Sequence, residues 1–290
     1  MSKMKGILLA GGSGSRLYPM TQVVSKQLMP VYDKPMVYYP LSTLLLGGLR
    51  EVLIITTPHD LHLFKKLLGT GEQWGMKLSY AVQAKPEGLA QALIIADDFL
   101  KGSPSCLILG DNIFHGHGLS QLLQKSAGLK NGALIYGYRV KDPSNYGVVD
   151  FDDKGNVLSI EEKPNKPKSK YAVPGIYFFD HKAPSLAVSL KPSGRGELEV
   201  TDLNKIYLNS KTLQVKILGR GYAWLDTGTQ ENLLHASNFI QTIVERQGTQ
   251  IGCLEEIAFA RGYIDKNTVY KASVLYKNSS YGQYLEQLIS

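Results

Sequence analysis

The stretch that decides the fold is KGILLAGGSGSRLYP, residues 5–19, near the start of the chain. The residues before the glycines, Lys5–Leu9, predict a buried β-strand, because a short apolar run that ends in a turn is typical of a strand in a parallel sheet. The glycines that follow allow the backbone to approach a ligand closely, and such turns commonly hold a phosphate. The stretch therefore predicts an α/β fold with a phosphate loop after its first strand.

Short apolar runs alternate with helix-like segments through the first half of the chain. The pattern predicts strands at 5–9, 51–56, 77–82, 106–109 and 133–138, and helices at 36–46, 59–68, 88–100 and 119–126. Such alternation favours a mostly parallel central sheet with helices on both faces. Ligands of these sheets bind beyond the carboxyl ends of the strands.

The pattern changes after about residue 140 to that of a β insertion. GVVDFDDKGNVLSIEEKP (147–164) predicts a hairpin with a turn at DDKGN, and GIYFFD (175–180) predicts another strand. Helices are predicted at 198–210 and 230–246. We expect one domain over residues 1–246, with parts at about 1–140 and 141–228, and a C-terminal helical segment over 247–290.

Composition and charge narrow the classes of function. The chain has 290 residues, of which 43% are hydrophobic and 20% charged, as in ordinary globular proteins. No apolar run approaches the roughly 20 residues of a membrane span, so we expect no membrane partner. The net charge of +7 is dispersed, and its densest cluster, KPNKPKSK (163–170), is interrupted by prolines. This argues against nucleic acid and for a small anionic substrate or a solvated surface.

Two features predict a cytoplasmic location. The apolar run Ile7–Ala10 is too short for the core of a signal peptide, which needs about 7–15 residues. Cys106 and Cys253 fit a reducing compartment, and the apolar neighbours of Cys106 indicate a buried residue rather than a reactive thiol.

The glycine stretch can be set against three kinds of phosphate loop. A Walker A loop is excluded because no Gly-Lys-Ser/Thr follows. The dinucleotide fingerprint of a dehydrogenase is interrupted by Leu17, where a glycine would let the helix pack on the strand. The third pattern, LAGGSGSRL (9–17) followed by SKQLMPVYDKP (25–35), offers backbone N–H groups, with Arg16 and Lys26 as cations for a polyphosphate. The third pattern is the one we favour.

Two aspartates follow apolar stretches further along the chain. Asp111 lies in LILGDN (107–112) and Asp226 in WLDTGT (224–229). Mg²⁺ prefers one or two carboxylates, with water and phosphate oxygens as its other ligands. Either aspartate alone would equally fit a turn or a helix cap. The nearby HGHG (115–118), with His115 and His117, predicts a loop, and its spacing is weak evidence for zinc.

Three further segments carry polar groups suited to a nucleotide and a sugar. Gln83 precedes a turn in QAKPEGLAQA (83–92), and a glutamine amide can pair with the edge of a pyrimidine. Glu162 and Lys163, at the end of the hairpin, could bind sugar hydroxyls and a sugar phosphate. Each segment alone is equally typical of an ordinary turn or a polar surface.

Taken together and in this order, the motifs resemble the sugar-1-phosphate nucleotidylyltransferases over essentially the whole chain. They are LAGGSGSRL, SKQLMP, KPEGLAQA, LGDNIF, YGVV, EEKP, WLDTGT and RGYI. LGDNIF resembles the thymidylyl branch of that family more than its uridylyl or cytidylyl branches. The resemblance implies a Rossmann-like nucleotide-diphospho-sugar transferase fold, with a mixed, mostly parallel central sheet flanked by helices. The nucleotide would be bound by about 1–140 and the sugar phosphate by about 141–228.

The resemblance also implies a reaction. A thymidylyl group would pass from dTTP to α-D-glucose 1-phosphate, giving dTDP-glucose and pyrophosphate with Mg²⁺ as cofactor. This would be the first step of dTDP-L-rhamnose biosynthesis, which serves lipopolysaccharide O-antigens. Members of the family form homotetramers that dTDP-rhamnose inhibits, so we expect the same here.

Site residues follow from the motifs that match the family. By resemblance, dTTP would be bound by Gly11, Gly14, Ser15, Arg16, Lys26, Gln27, Gln83, Gly88 and Asp111. The sugar phosphate would be bound by Asn112, Gly147, Glu162, Lys163 and Val173. Asp111 and Asp226 would hold Mg²⁺, and the catalytic set would be Arg16, Lys26, Lys163, Asp111 and Asp226.

Some alternatives stay open. A related enzyme that prefers UTP or CTP would carry the same motifs, and a non-catalytic nucleotide-sugar sensor would carry some of them. The presence of Arg16, Lys26, Asp111 and Asp226 argues against the sensor. His115 stands where many family members carry a tyrosine, and we expect this change to affect a secondary nucleotide site rather than catalysis.

Overall fold

The computed structural model describes residues 3–12 and 14–290. Its strands are β1 (Lys5–Ala10), β2 (Pro30–Val31), β3 (Lys34–Pro35), β4 (Glu51–Thr56), β5 (Lys77–Val82), β6 (Ser105–Leu109), β7 (Asn112–Gly116), β8 (Ala133–Arg139), β9 (Gly147–Phe151), β10 (Val157–Glu162), β11 (Tyr171–Ala172), β12 (Ile176–Phe179), β13 (Leu213–Leu218) and β14 (Tyr222–Asp226). Its α-helices are α1 (Tyr38–Leu46), α2 (Leu61–Leu68), α3 (Gln91–Ile95), α4 (Asp97–Leu100), α5 (Leu119–Ala127), α6 (Ala183–Val188), α7 (Val200–Asn209), α8 (Gln230–Gln247), α9 (Leu254–Ala260), α10 (Lys266–Leu275) and α11 (Ser280–Gln287). Short 3₁₀ helices lie at Ser15–Leu17, Met20–Gln22, Lys26–Leu28 and Glu72–Trp74.

A mixed sheet forms the centre of the molecule, in the order β10-β9-β11-β8-β12-β6-β1-β4-β5, with β13 also paired to β8. The α/β fold with a flanked central sheet is confirmed. Strands β6, β1, β4 and β5 are parallel, as the sequence predicts. The sheet is mixed, as expected, but its parallel part is smaller than predicted. Beyond β6, β12 pairs antiparallel with both β6 and β8, and the predicted hairpin β9–β10 is antiparallel, whereas β13 pairs parallel with β8.

Helices cover both faces of the sheet, as expected. Neighbouring side chains of a strand point to opposite faces, so Ile7 and Leu9 pack with Leu93 of α3, whereas Leu8 packs with the apolar side of α1. All of these side chains are buried. A third cluster joins the loop after β1 to α8 through Leu17 and Ile240.

Three sequence-based assignments differ from the structure. The predicted helix over 88–100 begins only at Gln91 and is interrupted at Ala96, giving α3 and α4. Residues 112–116, part of which we assigned to a loop, form β7, and residues 213–226 contain two unpredicted strands. These strands have partners far away in the sequence, β14 for β7 and β8 for β13, which a local pattern does not reveal.

The C-terminal segment folds into α9, α10 and α11, as its helical pattern predicts. Its own apolar cluster includes Val269 and Leu285. It is tied to the rest of the chain where Trp74 Nε1 donates a hydrogen bond to Glu255 Oε1, 3.0 Å away in a buried position. In the described part of the chain, no helix combines the length and apolar character that spanning a membrane requires.

Candidate active site

The carboxyl ends of β1 and β6 lie side by side and define the position of the site. Leu9 is opposite Leu109 in the parallel pairing, and Gly110 N donates to Leu9 O over 2.9 Å. A side chain at position 110 would approach Leu9 O to 2.9 Å and Gln27 Cγ to 2.8 Å, so glycine is needed there. The turn that contains Gly11, Gly12 and Gly14, here called the glycine turn, therefore leaves the sheet at the same edge as Asp111. This is the edge at which α/β proteins bind ligands.

Asp111 makes an ion pair with Lys26, which a 3₁₀ turn places against the strand end. Its other oxygen, Oδ1, accepts a hydrogen bond from Asn112 Nδ2 over 2.8 Å. Burial favours the neutral acid, but the Lys26 charge and these hydrogen bonds outweigh burial and lower the pKa of Asp111. Asp111 is thus held as a carboxylate beside a cation.

Asp226 reaches the same place on the antiparallel pair β7–β14. The register sets Asp226 opposite Asn112, and Thr227 donates from both N and Oγ1 to Asp111 O, at 3.1 and 2.8 Å. Burial, together with the negative charge of Asp111, raises the pKa of Asp226 to about 6, although Lys26 and Arg16 oppose the shift. The fold therefore brings two carboxylates close enough to repel each other.

This donor set fits Mg²⁺. Two carboxylates that destabilise each other's charge are stabilised by a divalent cation, and Mg²⁺ takes its remaining ligands from water and phosphate. Across residues 3–12 and 14–290, no set of three or more His, Cys, Asp or Glu side chains is placed to hold a metal ion. Asp111 and Asp226 are the residues that would hold Mg²⁺.

A cavity of about 150 Å³ adjoins the two aspartates. The predicted site residues that line it are Arg16, Asp111, Asn112, Gly147, Glu162, Lys163, Val173 and Asp226. Residues from both predicted parts of the domain thus meet around one space. The predicted nucleotide residues that do not line this cavity are Gly11, Gly14, Ser15, Lys26, Gln27, Gln83 and Gly88.

Lys163 enters this cavity from the end of the hairpin with an unusual backbone. Its φ of 42° lies in the left-handed region, where a residue with a side chain costs roughly 1–3 kcal/mol. Lys163 N donates to Tyr146 O over 3.0 Å, which holds the turn in place. Its Nζ lies 4.0 Å from Glu162 Oε1, so a cation and a carboxylate face the cavity together.

The sequence analysis did not predict Arg195, a further cation beside Glu162 at the end of the hairpin. Arg195 pairs with Glu199 at 2.8 Å and reaches Glu162 Oε1 at 3.5 Å. Thr201 Oγ1 donates to the other Glu162 oxygen over 2.5 Å. The signal that points to Arg195 is its position between two glycines, just before α7.

Asn112 is an anchor for its neighbours as well as a lining residue. Its Oδ1 accepts hydrogen bonds from Trp224 Nε1 at 2.6 Å and from Gly175 N at 3.0 Å. Tyr146 packs edge-on against Trp224, with ring centres 5.0 Å apart. Burial and the Asp226 charge raise the pKa of Tyr146 to about 12. Tyr146 and Tyr177, whose contacts the sequence leaves open, both line the cavity.

The remaining predicted nucleotide residues lie around the glycine turn. Gln83 is buried, and its Oε1 lies where a side chain on Gly11 would point. Gly88 has a φ of 109°, and a side chain there would approach the Leu198 backbone to 2.5 Å, so packing already requires this glycine. The Gln27 side chain is buried and accepts a hydrogen bond from Ser25. It lies against Gly110, at the end of β6.

The Gly14 carbonyl accepts a 2.7 Å hydrogen bond from Thr21 Oγ1, which closes the glycine turn onto the next 3₁₀ helix. Ser15 is exposed at the start of its short helix. Both residues are therefore held at the edge of the sheet from which Asp111 also projects.

His115 lies elsewhere, in a different cavity of about 450 Å³ that Glu256 and Arg261 also line. Burial lowers the pKa of His115, and its ring packs edge-on to Phe239 at 6.0 Å. This location is outside the active-site cavity, as expected; its link to a nucleotide stays a prediction.

Comparisons with known proteins show the family to which this chain belongs. The sequence profile of a family described as nucleotidyl transferase matches residues 5–243. Over 288 residues the chain is 57% identical to a glucose-1-phosphate thymidylyltransferase of Xanthomonas campestris pv. campestris, covering 99% of this chain and 98% of that protein. It is 56% identical over 286 residues to that of Neisseria gonorrhoeae, covering 99% of each.

Solved structures give the same result. A putative glucose-1-phosphate thymidylyltransferase from Bacillus anthracis in complex with sucrose aligns with a TM-score of 0.76 and 40% identity, over 81% of this chain and 94% of that one. A UDP-glucose pyrophosphorylase complexed with UDP-glucose, at 22% identity and a TM-score of 0.69, shares the fold. The chain belongs to the nucleotidyl transferase family.

Proposed function

We propose that this protein is a glucose-1-phosphate thymidylyltransferase. It transfers a thymidylyl group from dTTP to α-D-glucose 1-phosphate and releases dTDP-glucose and pyrophosphate. The observation that carries the proposal is the meeting of Asp111, Lys26 and Asp226 at one strand edge, beside a cavity that Arg16 and Lys163 enter. The near full-length identity of 57% to a thymidylyltransferase supports the choice of nucleotide.

The reaction needs little acid–base chemistry. A phosphate oxygen of glucose 1-phosphate attacks the α-phosphorus of dTTP, and the bond from that phosphorus to pyrophosphate breaks. The second pKa of a phosphomonoester is near about 6, so the nucleophile is already ionised at neutral pH. The barrier comes from bringing one anion to another in line, which positioning and charge neutralisation overcome.

Four cations of this chain surround that reaction path. Arg16 and Lys26 lie on the side of the glycine turn and would neutralise the triphosphate. Lys163, and behind it Arg195, lie on the side of the hairpin and would hold the incoming phosphate. Glu162 would accept hydrogen bonds from sugar hydroxyls.

Mg²⁺ would be held by Asp111 and Asp226. When bound, it supplies further charge neutralisation and orients the triphosphate. The raised pKa of Asp226, about 6, supports this assignment, because a second cation beside Lys26 would relieve the repulsion between the two carboxylates.

The test is an assay of pyrophosphate release from dTTP, UTP and CTP, each with glucose 1-phosphate, with and without Mg²⁺. We expect release from dTTP that depends on Mg²⁺. UTP should be used less well than dTTP but still measurably, because a single methyl group discriminates by only about 1–3 kcal/mol. No release from any of the three nucleotides would contradict the proposal and favour a sensor.

Five wider properties of this protein are part of the same proposal. By resemblance, we propose a homotetramer, its inhibition by dTDP-rhamnose, and a place in dTDP-L-rhamnose and O-antigen synthesis. We also propose a cytoplasmic location, which the free cysteines Cys106 and Cys253 support. We also propose a boundary after residue 246, where α8 ends and the C-terminal cluster begins. Light scattering and truncation at residue 246 would test the assembly and the boundary.

A further inference from the structure

Three side chains beside the glycine turn form a chain of hydrogen bonds that the reaction itself does not use. Gln83 Nε2 donates to Gln91 Oε1 over 2.6 Å, and Gln91 Nε2 donates to Glu87 Oε2 over 2.7 Å. Gln83 is buried after β5, Gln91 begins α3, and Glu87 is exposed in the loop between them. The chain thus runs from the edge of the nucleotide site to a surface carboxylate.

The Glu87 carboxylate fixes the direction of this chain. A carboxylate only accepts hydrogen bonds, so the NH₂ group of Gln91 must face Glu87, and the Gln91 carbonyl must face the other way. The backbone N–H of Glu87 also donates to Gln91 Oε1, over 3.2 Å, which independently requires an acceptor at that position. Gln83 therefore has to turn its NH₂ group toward Gln91.

The carbonyl oxygen of Gln83 consequently points toward the nucleotide site. Its Oε1 lies against Gly11, in the space that a side chain on this glycine would fill. A rotated Gln83 amide would bring two carbonyl oxygens into contact and lose a buried hydrogen bond, which is unfavourable. The site therefore presents an acceptor, and not a donor, at Gln83.

We propose that Gln91, held by Glu87, is a positioning residue that determines which pyrimidine this enzyme accepts. It makes Gln83 offer a carbonyl oxygen, which pairs with the protonated ring nitrogen at position 3 of thymine or uracil. Cytosine carries an unprotonated nitrogen there and would place a second acceptor against Gln83 Oε1, which disfavours its binding. The inference rests on the proposed function, in that the base of the nucleotide lies beside Gly11 and Gln83.

The experiment compares kcat/KM for dTTP, UTP and CTP in the wild type and two variants. Gln91→Met keeps the length of the side chain but removes the closer of the two acceptors of the Gln83 NH₂ group, leaving only Gly88 O at 3.5 Å. The Gln83 amide can then rotate, and the dTTP:CTP and UTP:CTP ratios should each fall by about tenfold. The double variant Gln91→Glu with Glu87→Gln still offers an acceptor oxygen to Gln83, and the amide introduced at position 87 can donate to the carboxylate introduced at position 91, so it should keep both ratios close to wild type.

A matched control is Gln241→Met. Gln241 Nε2 donates to Glu245 Oε1 over 2.7 Å on the exposed side of α8, which is the same kind of pair away from the site. This variant should leave both ratios unchanged.

The inference is overturned by a Gln91→Met protein whose two ratios stay at wild-type values. This includes a variant that loses activity equally with all three nucleotides, because such a loss indicates a structural role. It is also overturned by a wild type that binds CTP as tightly as dTTP. Calorimetric binding of each nucleotide alone separates this inference from the proposed function: preference for dTTP and UTP without pyrophosphate release would contradict only the function, and binding of none would contradict both.

Discussion

At the scale of single residues, the site depends on how its charges are placed. Lys26 keeps Asp111 ionised, whereas Asp226 is buried against that same carboxylate and its pKa rises to about 6. Two like groups thus have different protonation behaviour because only one of them contacts a cation. A divalent cation between the two carboxylates would relieve the repulsion that raises the pKa of Asp226.

Removal of Arg16 tests the charge neutralisation of the triphosphate. We expect Arg16→Ala to lower turnover by about 10²–10⁴-fold, as for removal of a group that stabilises charge in the transition state. Steady-state pyrophosphate release checks it. Arg246→Ala, in the last turn of α8, is the control for loss of an exposed arginine. Turnover of Arg16→Ala close to wild type would exclude the role.

The binding of Mg²⁺ should depend on pH through Asp226. Protonation competes with the metal, so the apparent affinity for Mg²⁺ should fall by about tenfold per pH unit below about 6 and level off above it. Calorimetric Mg²⁺ titrations between pH 5 and 8 measure this dependence. Asp226→Asn should bind Mg²⁺ more weakly and lose this dependence; a flat profile in the wild type would count against Asp226 as a ligand.

At the scale of elements, the loop after β1 explains why Leu17 stands where a dinucleotide fingerprint has glycine. The chain does not enter a long helix there but forms short 3₁₀ turns, and Leu17 is fully buried in the cluster with Met36 and Ile240. Leu17 therefore anchors the glycine turn to α8 through this buried cluster. The residue that excludes the dehydrogenase pattern is also the residue that holds this loop.

Loss of that anchor should weaken both the fold and the loop. Leu17→Ala should lower the free energy of unfolding by about 2–5 kcal/mol, as for large-to-small changes in a core, and raise KM for dTTP. Urea unfolding and steady-state kinetics measure the two effects. Leu234→Ala, at a leucine of α8 that is 60% exposed, should change neither by much. Equal stabilities of the two variants would refute the anchoring role.

At the scale of the whole molecule, the C-terminal helices are joined to the sheet domain through buried polar contacts. Glu255 accepts from Trp74 on one oxygen and from Tyr281 on the other. Arg261 donates to Leu46 O over 3.0 Å at the end of α1. The C-terminal helices are thus held by contacts to α1 and to the turn around Trp74, in addition to the contacts within their own apolar cluster.

Trp74→Phe should loosen this attachment without touching the active site. It removes the N–H group and leaves a buried Glu255 oxygen without its donor, which costs about 1–3 kcal/mol of unfolding free energy. Thermal and urea unfolding measure the loss. Tyr270→Phe, at a residue of α10 that is 55% exposed, is the control. An unchanged stability, or a changed KM for dTTP, would contradict the assignment.

The sequence alone determined the parts of this protein that depend on local pattern and on chemistry carried by a few adjacent residues. Strands β4 and β5 are found at the predicted residues, because apolar runs bounded by turns are a local signal. The motifs around Arg16, Lys26 and Asp111 likewise indicate phosphate chemistry through their residue types and spacing alone.

Which of these residues meet depends on the tertiary structure. Asp226 reaches Asp111 because β14 pairs with β7, more than 100 residues away, and Gln91 fixes Gln83 because α3 starts close to the end of β5. In the central sheet, the long-range pairing of β12 with β6 and β8 adds antiparallel strands to the parallel ones. The tertiary fold also places Arg195 beside Glu162. The packing of the whole sheet determines which strands pair, and a local sequence pattern does not contain that information.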